Sequence, residues 1–375
     1  MSDKELIICL HPHSNKGGAT DKIIQLLNNL NKRKFEIIYL YLKKNTQLKL
    51  NKNIKIIKLK NQRTLFSLFE IKKILLHYNR KKFKKKIFIS NQNYSNVFVY
   101  FLLKNLIDYK SILIERNHLD ELYFYESIND FIKKFFIKLL MKYTYRYANK
   151  LIGNTRKLSK DLSNFVNKKA ETIYSPTNFK QLSKLSKAYK PKDILRDISK
   201  TRLLSVSRFT KRKDLITLLK AFNIISSKIK NIELILIGYG PEINKIEKYI
   251  HKHNLKKRIF LISYKVNPYP YFLISDLYIM PSLYEGCPNS IIEATALNLP
   301  VISSNCNSGP SEILLNGKGG YIFDKKNHIE LSKKIELFDK NKKIFLKKMK
   351  ISKKNIFRFD QKKITKDYIK ILERI

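Results

Sequence analysis

Residues 276–315, DLYIMPSLYEGCPNSIIEATALNLPVISSNCNSGPSEILL, decide the reading of this chain. Lys and Arg make up 77 of its 375 residues, yet none falls between Lys265 and Lys318. Within that window Glu285 sits in a turn-forming run from Tyr284 to Asn289, and Glu293 lies one turn into a helix whose pattern starts near Ser290. The turn and the first helical turn therefore face the same space. A helix start carries unpaired backbone N–H groups and the positive end of the macrodipole, so Asn289, Ser290 and Ile291 can donate to a diphosphate. Glu293 beside them can accept hydrogen bonds from vicinal ribose hydroxyls, and Glu285 from the hydroxyls of a hexose. The run from Pro281 to Pro288 stiffens the turn, and Gly286 lets backbone approach a ligand closely. The competing reading is a helix-capping carboxylate and a loop glutamate in solvent.

The pattern S-L-Y-E-G-x-P-N-x-x-x-E-A-x-A-x-x-x-P-V-I from Ser282, followed by G-P-x-E-I-L from Gly309, is long and contiguous. It closely resembles the donor-binding core of the retaining family 4 glycosyltransferases with the GT-B fold. That resemblance implies an α/β protein of two Rossmann-like doubly wound domains facing a central cleft. It implies a sugar-nucleotide donor and transfer with the anomeric configuration retained.

Other stretches add to it. In TRLLSVSRFTKRKDLITLLKAF, Leu203 to Val206 reads as a strand and Asp214 onward as a helix, with Arg208 and Lys213 in the loop between. Two fixed cations beside a helix start suit a diphosphate leaving group, Arg binding in a bidentate manner and Lys as a point charge. The resembled family carries an Arg and a Lys at this spacing, which implies catalytic roles for both; the Gly that follows its Lys is Asp214 here. Gly17 and Gly18 follow the first strand, where the family has a Gly-Gly pair near the donor diphosphate. Gly238 opens a G-x-G-P turn, and Ser308, Gly309 and Pro310 form another backbone turn expected near the phosphates. None of these is the G-x-G-x-x-G dinucleotide fingerprint. The loop Ser263 to Val266 corresponds to where relatives hold the nucleobase. His118 follows a strand, as a loop histidine does in many relatives, and is the candidate for contact with the donor sugar or the acceptor hydroxyl. An uninvolved surface histidine is the alternative.

The length suits two domains, and 43% hydrophobic content is enough for two cores. The formal net charge is +47. It is spread over nearly every expected surface helix rather than gathered in a tail or patch, which argues against a nucleic-acid partner. With no Trp and much Ile and Asn, the excess reads as compositional drift to solvated lysines; attraction to an anionic membrane is compatible with it. Cys9, Cys287 and Cys306 have no metal-ligand spacing, so the expectation is a reduced cytoplasm with no structural metal. No DxD-like motif ends a strand, so no metal and no other cofactor is expected. No run approaches the ~20 apolar residues of a membrane span, and the N-terminus lacks a signal-peptide core; the chain is expected to be cytoplasmic, with peripheral contact on the inner face of the plasma membrane.

Taken in order, strands are expected at Glu5 to Leu10, Phe35 to Leu42, Ile54 to Leu59, Ile87 to Ser90 and Ser111 to Glu115. Helices are expected over Thr64 to Tyr78 and Ser95 to Asn105, giving a parallel sheet with ligands at its carboxyl edge. Residues 131–147 read as an amphipathic helix with Phe131, Phe135, Leu139 and Tyr143 along one stripe. Phe136, Leu140 and Met141 widen the apolar side; core packing is the expectation, with a membrane interface as the alternative and both readings left open for different faces. The domain reading is 1–185 for the acceptor-binding domain, 186–200 as linker and 201–355 for the nucleotide-sugar-binding domain. Residues 356–375 form a helix returning to the first domain through Phe357, Phe359, Tyr368, Ile371 and Leu372.

The function implied is transfer of a hexosyl or N-acetylhexosaminyl group from a UDP-sugar to a glycan or polyprenyl-diphosphate-linked acceptor in cell-surface glycan synthesis. The wording CNSGPSEIL around Gly309 resembles members that build bacterial cell-surface or lipid-linked glycans. A sugar-nucleotide epimerase of the same fold would need no acceptor. A nicotinamide oxidoreductase lacks its fingerprint here, and a nucleic-acid-binding protein would be indifferent to Glu293→Ala.

Overall fold

An unbroken apolar run such as ELIICL suits a strand covered on both faces, and in the computed structural model every residue of Glu5–His11 is buried. The structure describes residues 4–12, 18–42, 50–61, 63–194 and 197–375. Two compact units are found, 1–177 together with 361–375, and 178–360.

The first unit runs β1 (Glu5–His11), α1 (Gly18–Asn28), β2 (Phe35–Leu42), β3 (Lys55–Leu59), α2 (Leu68–Asn79), β4 (Lys86–Asn91), α3 (Asn93–Asn96) and α4 (Val99–Leu103). It continues with β5 (Tyr109–Glu115), α5 (Ile128–Thr144), β6 (Lys150–Gly153), α6 (Arg156–Val166) and β7 (Ala170–Thr172). Its seven strands lie in the order β3-β2-β1-β4-β5-β6-β7, all parallel. Side-chain alternation splits each strand between two cores. Leu6, Ile8, Leu10, Phe88 and Leu113 pack on the side of α2 and α5. Ile7, Cys9, Ile37, Ile89 and Ile114 pack on the side of α1.

The second unit runs α7 (Phe179–Ser186), β8 (Thr201–Arg208), α8 (Leu215–Lys228), β9 (Ile232–Tyr239), α9 (Ile243–Lys252), β10 (Ile259–Ile262), α10 (Tyr269–Leu273) and β11 (Leu277–Met280). It goes on with α11 (Asn289–Ala296), β12 (Val301–Ser304), α12 (Pro310–Ile313), β13 (Tyr321–Phe323), α13 (His328–Lys340) and α14 (Lys342–Lys354). Its sheet has the order β10-β9-β8-β11-β12-β13, again parallel. The last helix, α15 (Gln361–Glu373), belongs to the first unit.

Four expectations are corrected. The stretch 186–200 is no linker but part of the second unit: Tyr189 donates its hydroxyl to Asn267 O at 2.7 Å, and Asp193 accepts from Tyr271 at 2.8 Å and pairs with Lys265 at 2.9 Å. Of the five residues expected to carry the return, Phe357 and Phe359 stay with the second unit, while Tyr368, Ile371 and Leu372 enter the first unit's core with Ile364. The helix expected over Ser95 to Asn105 is split into α3 and α4. Short polar side chains compete locally for backbone groups there: Ser95 Oγ donates to Asn91 O at 2.9 Å, and Asn96 Nδ2 donates to Ile114 O at 3.0 Å. Finally, α5 buries Lys134, Ile137, Met141 and Thr144, not the aromatic stripe. Lys134 tolerates burial because its ammonium reaches Phe124 O at 2.6 Å and Asp130 at 2.7 Å.

The join at α15 is testable. Tyr368 is 2% exposed, and truncating a buried aromatic ring costs about 3 kcal/mol or more. Tyr368→Ala is expected to lower the first unit's urea midpoint, followed by amide exchange in β1, and an unchanged midpoint would remove α15 from that core.

Candidate functional site

In an open parallel sheet the strand order reverses at one point, and the loops there splay to leave a crevice at the carboxyl edge. In the second unit that point lies between β8 and β11. The loop after β8 carries Lys213 at the end of a 3-10 turn, Lys211–Lys213, and the loop after β11 carries Glu285. The Lys213 ammonium donates to the Glu285 carboxylate, the two side chains being 14% and 8% exposed. Burial alone would raise the Glu285 pKa, but the charges of Lys213 and Arg212 overcome it and hold the carboxyl below its usual range. Burial in turn pulls the Lys213 ammonium below its ordinary value, with Glu285 opposing. The two loops are tied by backbone as well, Leu283 N donating to Arg212 O at 2.8 Å, and the Arg212 guanidinium stands 5.5 Å from the Tyr284 ring centre.

Asp214 has φ 45° and ψ 45°. This is the left-handed conformation for which Gly is the default, so the chain makes the turn into α8 without one. The Asp214 carboxylate accepts from the Thr217 hydroxyl at 2.7 Å. Arg208 ends β8 with an exposed side chain whose guanidinium lies 5.8 Å from the Tyr239 ring centre. It has no ion pair among the described residues.

The backbone is tight around these groups. A Cβ on Gly238 would come within 1.8 Å of Ser207 O, and one on Gly309, at φ 90°, within 2.1 Å of Gly286 O. The Ser308–Pro310 turn thus rests directly on the Gly286 loop. Helix α11 starts at Asn289 after Pro288, with no side-chain cap. The N–H groups of Asn289 and Ser290, its first two residues, have no intrahelical acceptor. Ile291 is different: its N–H donates to Pro288 O at 3.2 Å, which closes the first turn and takes it off the donor set. Glu293, one turn in, accepts from the Tyr269 hydroxyl at 3.1 Å.

Arg208, Lys213, Gly238, Glu285, Gly286, Asn289, Ser290, Glu293 and Gly309 therefore all lie on strand ends, loops or the first turns of helices at the carboxyl edge of one sheet. Sequence reasoning missed Arg212 and Tyr269. Arg212 was visible only as one more cation in the run KRK, and nothing in the sequence couples Tyr269 to a glutamate 24 positions on.

His118 and Gly18 belong to the first unit. Gly17 lies outside the described residues; Gly18 is the first residue of α1. His118 is 5% exposed, with Nε2 at 2.8 Å from Asp161 Oδ2 and Nδ1 at 3.1 Å from Asp120 Oδ1. Burial works against its charged form, but the two carboxylates win and raise its pKa above the ordinary histidine value. It is no free surface histidine: both ring nitrogens are engaged, so it is a latch that fixes the loop after β5. A cluster not foreseen lies at the same edge. His11 Nδ1 is 2.8 Å from Asn91 Nδ2, its Nε2 is 3.0 Å from Thr20 Oγ1, and Arg116 donates to Asn91 Oδ1 at 2.7 Å and Ser175 Oγ at 3.3 Å. Next to it Glu115, accepting from Tyr145 and Asn96, is pushed up to about 8 by burial. Among the described residues no group of three or more His, Cys, Asp or Glu is placed to hold a metal ion, and no helix is long and apolar enough to cross a membrane.

Residues 186–356 match the family model of glycosyl transferases group 1. An uncharacterized glycosyltransferase of Methanocaldococcus jannaschii is 34% identical over 197 residues, 50% of this chain and 48% of that one. The N-acetylgalactosamine-N,N'-diacetylbacillosaminyl-diphospho-undecaprenol 4-alpha-N-acetylgalactosaminyltransferase of Campylobacter jejuni is 26% identical over 259 residues, 67% of this chain and 66% of that one. This chain thus spans about half to two thirds of the length of these relatives. Among solved structures, Anabaena HepE in complex with UDP matches with a TM-score of 0.78 at 16% identity, over 99% of this chain and 100% of that one. Both doubly wound units are of the kind found in GT-B proteins. Residues 186–356, which hold every group gathered at the second unit's carboxyl edge, are thus similar to the glycosyl transferases group 1.

Proposed function

We propose that the chain is a hexosyltransferase. It moves a hexosyl group, in the finer reading an N-acetylhexosaminyl group, from a UDP-sugar to a glycan or polyprenyl-diphosphate-linked acceptor in cell-surface polysaccharide or glycoconjugate synthesis. The observation that carries this reading is the buried Lys213–Glu285 pair beside the uncapped start of α11. A cation, free N–H groups and a carboxylate at one strand edge match a diphosphate joined to a polyhydroxylated ring. The C. jejuni relative acts, by its name, on a diphospho-undecaprenol substrate, and Anabaena HepE binds UDP; both support the choice of donor and acceptor class.

In this mechanism the donor's C1–O bond breaks toward the β-phosphate, and the charge that develops there is met by Arg208, Lys213 and the N–H groups of Asn289 and Ser290. Lys213 is shared between the phosphate and Glu285, which accepts from the hexose hydroxyls. Glu293, oriented by Tyr269, accepts from the ribose. The departing phosphate oxygen takes the proton of the acceptor hydroxyl as its oxygen bonds to C1 from the same face, so configuration is retained without a protein nucleophile. No metal enters the mechanism. In the first unit, the His118 latch shapes the loop offered to the acceptor.

Purified chain incubated with a panel of UDP- and GDP-sugars, with and without membrane lipid extract, is expected to release nucleotide from a UDP-sugar when acceptor is present. Epimerised sugar without acceptor would reject the reading. Arg208→Ala and Glu285→Ala are each expected to lower turnover by roughly a hundredfold or more, the scale of one lost transition-state charge or donor.

Removing Lys213 alone leaves Glu285 buried and unpaired, so Lys213→Ala should cost about 3 kcal/mol of the second unit's stability. The double variant Lys213→Met/Glu285→Leu should regain most of it in urea titrations. Tyr269→Phe should weaken the hold on Glu293 by about 1 kcal/mol, raising KM for the donor roughly fivefold with kcat little changed.

His118 has a raised folded pKa, so its stabilisation is complete below its unfolded value of about 6.5 and is lost as pH rises through the folded value. Asp161 is held low by Lys157 and His118 despite burial, so its share is lost only on acidification. Thermal melts should therefore show the first unit weakening on the alkaline side, and His118→Gln should flatten that limb.

A further inference from the structure

A helix that is apolar on one face packs that face on its core; one that is apolar all round is ordinarily enclosed. Helix α5 does neither. Its inner side is filled by Ile137 and Met141 in the first unit's core. Its outer side still presents Phe131, Phe135, Phe136, Leu139 and Tyr143, each between 45% and 57% exposed. The spacing keeps these side chains on one face over four turns, and ring contacts order it: Phe131 and Phe135 stack at 6.5 Å, and Tyr125 meets Phe131 edge-on at 5.0 Å. A continuous apolar face of this kind on a soluble surface marks a contact site.

We propose that this outer face of α5 docks on an anionic membrane interface, seating its aromatic rings at the level of the lipid headgroups. Charge chooses the lipid surface over a protein partner. The helix carries Lys133, Lys134, Lys138 and Lys142 against a single acidic residue, Asp130, which Lys134 neutralises at 2.7 Å. Lys133 stands 4.1 Å over the Tyr94 ring and Lys138 4.5 Å over the Tyr123 ring, so these ammoniums border the apolar face rather than interrupt it. Rings that insert and lysines that meet phosphate are the two halves of interfacial binding, and the chain's +47 charge draws it to such a surface. The proposal rests on the transfer reading only for the membrane-borne acceptor that docking would bring within reach.

The test uses the full chain and vesicles of phosphatidylcholine with and without phosphatidylglycerol, followed by co-sedimentation near physiological salt. Wild type should bind the anionic vesicles, and Phe131→Ser/Phe135→Ser/Leu139→Ser should lose about tenfold or more in partitioning. Lys138→Glu/Lys142→Glu should lose binding as well, which guards against a folding defect in the triple variant. Nucleotide release with a water-soluble acceptor should be unchanged in both. Equal binding by wild type and the triple variant would overturn the proposal, since charge alone would then suffice. So would a wild-type dimer that the triple variant dissolves, because a second copy would then cover the face. Vesicle binding by a chain that releases no nucleotide from any donor would reject the transfer reading and leave the docking surface standing.

Discussion

The Lys213–Glu285 ion pair sets the terms for the second unit. Each charge loses several kcal/mol of hydration when buried, and only close, well-supported geometry returns it. The support is visible on every side. Leu283 N is bonded to Arg212 O, Cys306 Sγ donates to Ser282 O at 3.0 Å, and Gly309 rests where any side chain would strike Gly286 O. The backbone that carries Glu285 is fixed from below by β12 and from the side by the Lys213 loop. Neither loop can shift without stranding a charge, so the pair and the turns around it stand or fall together.

The same constraint operates at a larger scale in both sheets. Strands covered on both faces must be apolar along their length, so polar chemistry is confined to the loops and helix starts beyond their carboxyl ends. In the first unit the apolar run of β1 ends in His11, and β4 and β5 end beside Asn91 and Arg116, which join it in one network. In the second, β8, β9, β11 and β12 deliver Arg208, Gly238, the Glu285 loop and the Gly309 turn. Repetition of one topology thus produces two polar edges from two otherwise featureless sheets.

How much was legible in the sequence depended on how local each signal is. The strands of the first sheet and the turn-helix around Glu285 are written in contiguous residues, and so is the boundary of α11. His118 is different, because its partner Asp161 is 43 positions away on α6 and only the fold brings them together. The orientation of α5 was illegible for another reason. Its apolar residues cover two faces, so periodicity names both stripes and cannot say which one turns inward; the buried Lys134, satisfied by Phe124 O and Asp130, decides it. The stretch 186–200 looked like a linker because it is polar, yet Asp193 and Tyr189 fasten it through bonds to residues some 80 positions on.

Charge poses the last problem, since a chain of +47 attracts every anion near it. That attraction is long in reach but poor in discrimination, and at physiological salt it fades within about 8 Å. Under the proposed function, selecting one diphosphate-bearing ligand from the rest requires donors whose positions are set before binding. The lysine-free window from Lys265 to Lys318 serves that end by keeping mobile ammoniums out of the edge where α11 begins. What remains there is backbone N–H groups at a helix start and a lysine bound to a carboxylate, with an exposed arginine beside a tyrosine ring. Because Glu285 already balances Lys213, bulk phosphate gains little there from charge alone. In the proposed transferase, a ligand that also offers hydroxyls to Glu285 and Glu293 gains more, so there the carboxylates supply the selectivity that the cations, in so basic a chain, cannot.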